Sequence, residues 1–274
     1  MATYVVSDIH GYYFRFLDLL KKVNFNDNDE LYVLGDIIDR GPHNGEMCQW
    51  AINQKSNVHF LLGNHEDMML SVLNGYSYSN NIMSSSDSVI WARNGGYKTY
   101  FDLMEIWNEQ EIINFVSWVR KWPMFYDINV NNRRFLLVHA GLALNGVRMS
   151  DDNYRYGRQD MIQIPDFPDQ WAQSLLWVRD NWFYNTKKLP CDVIFGHTPT
   201  NFIYENVNLI WFEEDLEFLK NQQGLEFEGE PKKILHINKQ KHAIDTGRSI
   251  MGMLRLDDME EFYSDIEEVD EDAE

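Results

Sequence analysis

Five short clusters of chemically capable residues recur along this 274-residue chain. Asp8 and His10 stand in Ser7-Asp8-Ile9-His10-Gly11, and Asp36, Asp39 and Arg40 in the stretch 35–41. Asn64, His65 and Glu66 follow Gly63, while His139 precedes Ala140-Gly141 and His197 precedes Thr198-Pro199. Asp8, Asp36 and Asn64 are spaced by two equal steps of 28 residues. One strand–helix–strand step takes about 30 residues. The equal steps therefore put these loops side by side at the carboxyl edge of a parallel sheet, where ligands bind. Asp8 and His10 are two apart, so an extended backbone points them to one side. A mixed oxygen and nitrogen donor set without thiolate suits manganese, iron or zinc. Six ligand candidates (Asp8, His10, Asp36, Asn64, His139, His197) are too many for one ion and imply two, with Asp36, central among the loops, as the bridging carboxylate.

The elements that must position these residues are legible in outline. Strand-like runs cover 3–7, 31–34 and 58–62, each ending at a polar loop. Helical spacing covers 12–23, 44–55 and 65–74. Such alternation predicts a parallel sheet. A Ser/Asn-rich loop (75–87) and helices over 99–105 and 109–121 read as a helical insertion, about 76–123, that covers one sheet edge. Strand signals resume at 124–130, 133–141, 192–198, 208–212, 233–238, 242–247 and 251–256, with one helix expected over 170–182. Residues 213–231 read as an acidic flap. Residues 257–274 carry eleven acids and no Lys or Arg, the composition of a solvated, disordered tail. The expected organisation is one domain over 1–256 followed by that tail.

SDIHG, GDIIDRG, GNHE, HAG and GHTP, in this order, resemble the signature of calcineurin-like metallophosphoesterases, and IDTG at 244–247 extends the match. Asp-Arg-Gly and Gly-Asn-His-Glu resemble the branch of bacterial and phage Ser/Thr protein phosphatases. The resemblance implies an α/β fold in which two mixed β-sheets pack as a central sandwich flanked by helices, with a dimetal site at the strand ends. It implies two divalent ions, manganese first with iron or zinc as alternatives. Asp8, His10 and Asp36 would hold one, and Asp36, Asn64, His139 and His197 the other. His65 would be the general acid, oriented by Asp39. Arg40 would grip phosphate oxygens with Asn64 beside it, and Arg179, after Leu175-Leu176-Trp177-Val178, would be the second phosphate-binding arginine. Ser7 stands where the family has glycine, a substitution small enough to tolerate.

Those roles describe hydrolysis by direct attack of a metal-bridging hydroxide on phosphorus, with His65, kept cationic by Asp39, protonating the leaving oxygen. The expected activity is a phosphomonoesterase acting on phosphoproteins at Ser/Thr, with Tyr as a further target. The alternative is hydrolysis of dinucleoside polyphosphates such as diadenosine tetraphosphate, and a non-catalytic scaffold is the minor one. In that polyphosphatase subfamily a small residue replaces the Asp of Asp-Arg-Gly and Asp follows Gly-Asn-His, so Asp39 and Glu66 favour the phosphatase branch.

The net charge of −19 excludes general nucleic-acid or anionic-membrane binding, which needs Lys/Arg against phosphates. Eleven of those negatives lie in residues 257–274, leaving −8 for the rest, and two divalent ions reverse the sign where a phosphate would bind. A phosphoprotein or small phosphoester is thus the expected partner. Cys48 and Cys191 form no metal or disulfide motif, and neither is followed six residues on by the Arg of a cysteine phosphatase: those positions are Gln54 and His197. The start lacks a basic leader and no apolar run approaches about 18 residues, so a cytoplasmic protein is expected.

Overall fold

Tyr4, Val5 and Val6 alternate between two different hydrophobic clusters. Val5 joins Leu34, Phe135, Leu137, Ile194 and Leu254 in an inner core, while Tyr4 and Val6 join an outer one. Leu136 and Val138 face the outer core where Phe135 and Leu137 face the inner. A period of two that buries both faces is the signature of a strand with packing above and below. The arrangement is thus a sandwich of two sheets with helices outside. The coordinates are a computed structural model that describes residues 1–73, 86–144, 160–167, 169–203, 226–230, 232–247 and 250–267.

The first sheet has the order β13-β12-β1-β2-β3. β1 (Thr3–Val6), β2 (Glu30–Val33) and β3 (Val58–Phe60) run parallel, as the alternation predicts. β12 (Gly252–Arg255) lies antiparallel against β1, and β13 (Glu260–Tyr263) antiparallel against β12. The second sheet has the order β4-β5-β8-β11-β10-β9. Here β5 (Arg133–Val138), β8 (Asp192–Phe195) and β11 (Lys241–Ala243) are parallel, flanked by β4 (Phe125–Val130), β10 (Leu235–Ile237) and β9 (Phe227–Glu228) as antiparallel partners. A two-stranded ribbon, β6 (Met161–Ile162) with β7 (Gln170–Trp171), stands apart.

Helices α1 (Tyr13–Lys22), α2 (Asn44–Ile52) and α3 (Asn64–Leu73) follow the first three strands and bury Phe16, Leu19, Met47, Ala51 and Met69 in the outer core. Fully burying side chains of this kind contributes roughly 1.5–3 kcal/mol each. The insertion comprises α4 (Ser86–Trp91), a π-turn at Ala92–Gly96, α5 (Tyr97–Ile106) and α6 (Glu109–Val119), the last begun by a reciprocal Asn108–Glu111 capping box. Cys48 and Cys191 are buried and unpaired in the same core.

Two expectations need correction. The helix over 170–182 is three pieces: β7, α7 (Ala172–Trp177) and α8 (Asp180–Phe183). Val178 adopts extended backbone, φ −62° and ψ 142°, which frees Arg179 from either helix. The acidic segment does not leave the fold at 257. β13 closes the first sheet, with Phe262 and Tyr263 packed against the two cores. Composition missed it because Phe262 and Tyr263 are the only apolar residues of the strand itself, set among eleven acids. The strand read at 208–212, the loop at 75–85 and most of the flap lie outside the described residues.

Candidate metal centre and active site

Among the described residues fourteen non-glycines have positive φ, and six of them are Asp8, His10, Asp36, Asp39, Arg40 and His197. Left-handed backbone costs such a residue about 1–2 kcal/mol, and clustering of that strain marks functional loops. Cross-loop hydrogen bonds hold it: the His10 amide donates to Asp36 O at 2.8 Å and the Gly11 amide to Ile37 O at 2.9 Å. The glycines respond to crowding. A Cβ on Gly63 would lie 2.2 Å from Asp36 Oδ1, and one on Gly196 2.1 Å from Asp8 Oδ2.

Asp36 is the centre, as the spacing predicts. Its Oδ2 lies 3.6 Å from His10 Nε2 and 3.8 Å from His65 Nε2, and its Oδ1 lies 3.5 Å from His139 Nε2. Two candidate ligand groups result, His10–Asp36–His65 and Asp36–His139–His197, sharing that carboxylate. Asp8 stands at the edge of the first, with Oδ1 4.0 Å from His10 Nε2. Asn64 Oδ1 lies 2.8 Å from both His139 Nε2 and His197 Nδ1. All six expected ligands are brought together, and His65, expected only as an acid, lies within ligand distance of the first group.

The donor set fits a cation. His10 and His139 donate Nδ1–H to the carbonyls of Ile38 and Leu34, at 2.8 and 2.7 Å. That fixes the tautomer with the Nε2 lone pair inward. The His139 lone pair therefore faces the Asn64 oxygen, acceptor against acceptor, an arrangement that calls for a positive centre between them. His197 Nε2 is buried without a protein partner. Burial pushes the Asp8 carboxyl up to about 6 and Asp36 up to about 7, the Asp36 charge adding to the rise at Asp8. Buried carboxylates of this kind are restored to their ionised form by bound divalent charge.

Arg40 spans the cluster. Its Nη1 donates to His10 Nε2 and its Nη2 to His65 Nε2, both at 2.9 Å. On the other side His65 Nδ1 donates to Asp39 Oδ2 at 2.7 Å. An imidazole that accepts at Nε2 and donates at Nδ1 is neutral. Burial, with Arg40 and the other histidines adding to it, holds His65 well below the usual range. The expectation of a cationic His65 is thus corrected. Burial raises Asp39 well above the carboxylate range in the same pair. Arg179 Nη1 donates to Thr198 Oγ1 at 2.9 Å. Both arginines line a cavity of about 280 Å³ together with Asp8, His10, His197 and Asp245.

Several supporting residues carried no assignment from sequence. The buried Glu66 carboxylate accepts the amides of Asp36, Ile37 and Gly63 at 2.8, 2.9 and 3.0 Å, tying two strand-end loops together. Its place in Gly-Asn-His-Glu was the available signal. Ser7 Oγ donates to Asp8 Oδ2 at 2.5 Å, so the residue expected to be merely tolerated orients a candidate ligand. Thr99 and Trp91, from the insertion, donate to Asp39 at 2.6 and 2.9 Å across 60 and 52 residues, which no local pattern announces. Trp177 packs edge-on against His197, with ring centres 5.8 Å apart. His59 pairs with Glu30, and His236 and His242 pair with each other, all outside the cluster. Tyr154, Tyr156 and Arg158 lie outside the described residues.

Carboxylate, amide and imidazole donors converge on one aspartate with arginines beside them, a set suited to divalent cations facing an anionic group. The chain belongs to the calcineurin-like phosphoesterase family, whose profile matches residues 1–228. It is 29% identical over 198 residues to a symmetrical bis(5'-nucleosyl)-tetraphosphatase of Haemophilus ducreyi, covering 67% of this chain and 65% of that protein. A namesake from Buchnera aphidicola is 30% identical over 52% of this chain and 45% of its own length. Serine/threonine-protein phosphatase 2 of Salmonella typhimurium is 30% identical over 65% of this chain and 67% of its own. In fold the chain resembles a Saccharomyces cerevisiae protein serine/threonine phosphatase, with TM-score 0.54 at 14% identity, over 98% of this chain and 81% of that one. It also resembles a putative diadenosine tetraphosphatase, with TM-score 0.50 at 16% identity, over 95% of this chain and 91% of that one. Among the described residues no helix is long and apolar enough to cross a membrane.

Proposed function

We propose that this chain is a metal-dependent hydrolase of dinucleoside polyphosphates, cleaving a tetraphosphate to two nucleoside diphosphates. The observation that carries the phosphohydrolase reading is Asp36, shared by two ligand groups beneath the Arg40 guanidinium. The substrate assignment draws its support from the tetraphosphatase relatives. It replaces the phosphoprotein reading as the first choice. Asp8, His10 and Asp36 would hold one divalent ion and Asp36, Asn64, His139 and His197 a second, manganese first and iron or zinc otherwise. Bound there, such ions neutralise phosphoryl oxygens and acidify water.

The chain's own residues do the rest. Arg40 turns from the two imidazole Nε2 atoms to the phosphoryl oxygens, a bidentate match for its planar fork. Arg179 and Asn64 bear on the same group. With Arg40 turned away, the added negative charge beside His65 raises its proton affinity, Nε2 takes up a proton from solvent, and the ring, held by Asp39, passes that proton to the leaving oxygen. Glu66 keeps the Asp36 and Gly63 loops in register while this occurs.

A second reading, a Ser/Thr phosphoprotein phosphatase, is favoured by the Asp39–His65 contact, since that branch carries both residues, and by the Salmonella relative. One assay separates the two readings. Diadenosine tetraphosphate, a phosphoserine peptide and a phosphotyrosine peptide are offered side by side with Mn²⁺. Release of two nucleoside diphosphates, with kcat/KM at least about tenfold above either peptide, is expected. The reverse order would refute the substrate assignment, and no turnover of any of them with any divalent metal would refute the enzyme.

A further inference from the structure

Asp39 holds the His65 ring, and its own placement comes from a distant part of the chain. The residue has no exposed surface and a left-handed backbone, φ 72°. Three donors converge on its carboxylate. His65 Nδ1 donates to Oδ2 at 2.7 Å and Thr99 Oγ1 to Oδ1 at 2.6 Å. Trp91 Nε1 reaches Oδ2 at 2.9 Å and Oδ1 at 3.2 Å. The Thr99 hydroxyl is used at both ends, because its oxygen also accepts the Asp39 amide at 2.9 Å. One hydroxyl thus ties the carboxylate to its own backbone, and one indole N–H bridges the two oxygens. Oδ2 is left at a single position for the imidazole.

Both donors belong to the helical insertion. Thr99, in α5, is fully buried and Trp91, which closes α4, is 3% exposed. The turn between them is shaped to the same contact. Gly96 leaves no room for a Cβ against the Trp91 indole, and a Cβ on Gly95 would lie 2.6 Å from the Arg40 backbone nitrogen. Farther along α5, Asp102 accepts the Asn44 amide at 3.2 Å and the Asn44 Nδ2 at 3.1 Å. The insertion therefore grips the 39–44 loop at each end. A cover over a sheet edge needs only apolar contacts, whereas a hydroxyl and an indole N–H brought to one buried carboxylate fix a direction.

We propose that Thr99 and Trp91 are positioning residues for proton transfer: they set the Asp39 carboxylate, and through it the plane of the His65 ring, so that Nε2 faces the leaving oxygen. The inference rests on the general-acid role given to His65 above. As the bond from phosphorus to the leaving oxygen breaks, its electron pair stays on that oxygen, which takes the proton held at Nε2. A phenolate of ordinary basicity depends on that proton, and a dinitrophenolate does not.

The test compares phenyl phosphate with dinitrophenyl phosphate, using the full chain with Mn²⁺. Thr99→Val keeps the shape and removes the hydroxyl. It should lower kcat for phenyl phosphate about 10- to 100-fold, the scale of a misplaced reacting group. For dinitrophenyl phosphate kcat should stay within about threefold, with KM for both esters kept. Trp91→Phe, which removes the N–H and keeps an aromatic ring, should show the same selectivity at about tenfold, and it carries the test alone if Thr99→Val does not fold. Thr99→Ser, which retains the hydroxyl, should recover about half of the wild-type turnover or more. Mn²⁺ affinity by calorimetry should match wild type in all three. Equal losses on both esters, or none on either, in Thr99→Val and Trp91→Phe overturn the positioning role. His65→Asn is the reference. A loss confined to phenyl phosphate there, without its counterpart in the other two variants, refutes positioning and leaves the acid standing. No such selectivity in His65→Asn refutes the acid, and the positioning role with it.

Discussion

Lys241 opens β11 with 1% of its surface exposed. Its Nζ donates to the carbonyls of Trp182 at 2.7 Å and Asn185, with Phe183 O at 3.4 Å, and lies 4.6 Å from the Trp182 ring centre. These carbonyls close α8, the turn that follows Arg179, so the lysine fastens that arginine's segment to the second sheet. Burial pushes the ammonium down to about 7, against about 10.4 in an unfolded chain. Between those values the unfolded state binds more protons than the folded one, so this group makes stability rise with pH. Its penalty is absent above the unfolded value and complete below about 7. Each pH unit inside the window is worth about 1.4 kcal/mol. Lys241→Met removes the linkage along with the hydrogen bonds. From about pH 8 to about pH 9.5, wild type should therefore gain about 2 kcal/mol relative to the variant. Urea unfolding of both proteins at several pH values reads this difference directly, with other titrating groups cancelling. A gap between the two proteins that does not change with pH would show that the carbonyls hold the ammonium charged, and the desolvation argument would be wrong.

Three further outcomes are expected. His65→Asn should lower kcat about 10²- to 10⁴-fold, as loss of a general acid does, with Mn²⁺ affinity by calorimetry nearly kept; unchanged turnover removes it from proton transfer. Glu66→Gln leaves one of three backbone amides facing an NH₂ group, at a cost of about 2–3 kcal/mol, so the thermal midpoint should drop by about 5–10 °C. An unshifted midpoint would mean that the triple contact is dispensable. Mn²⁺ binding should release protons near pH 6.5, because Asp8 at about 6 and Asp36 at about 7 are partly protonated until a cation restores their charge. The corresponding affinity rises with pH through that range, and calorimetry in buffers of different ionisation enthalpy counts the protons. Binding without release would contradict the fit of the cluster to a metal.

Much of the site was legible because its ligands sit directly after strands. The backbone position of Asp8, Asp36 and Asn64 follows from equal 28-residue steps, and parallel pairing of β1, β2 and β3 then makes them neighbours. The supports were not legible for a related reason. Thr99 and Trp91 reach Asp39 from helices whose apolar pattern says only which face is buried. The charge state of His65 was misjudged because a neighbouring carboxylate argues for a cation, while the competing Arg40 contact appears only when the loops are folded together. β13 was missed because two acids followed by two aromatics, without a period of two, read as solvated chain until β12 offers them hydrogen bonds.

The sequence by itself determined the donor types, their order and the sheet edge on which they gather, since these depend on local periodicity and on the length of a strand–helix–strand step. The tertiary structure decided which lone pairs face each other, which carboxylates are forced toward neutrality, and which arginines share a cleft. Those properties depend on distance and desolvation between segments far apart in the chain, as in the His197 amide that donates to Asp8 across 189 residues. No pattern along the chain encodes them.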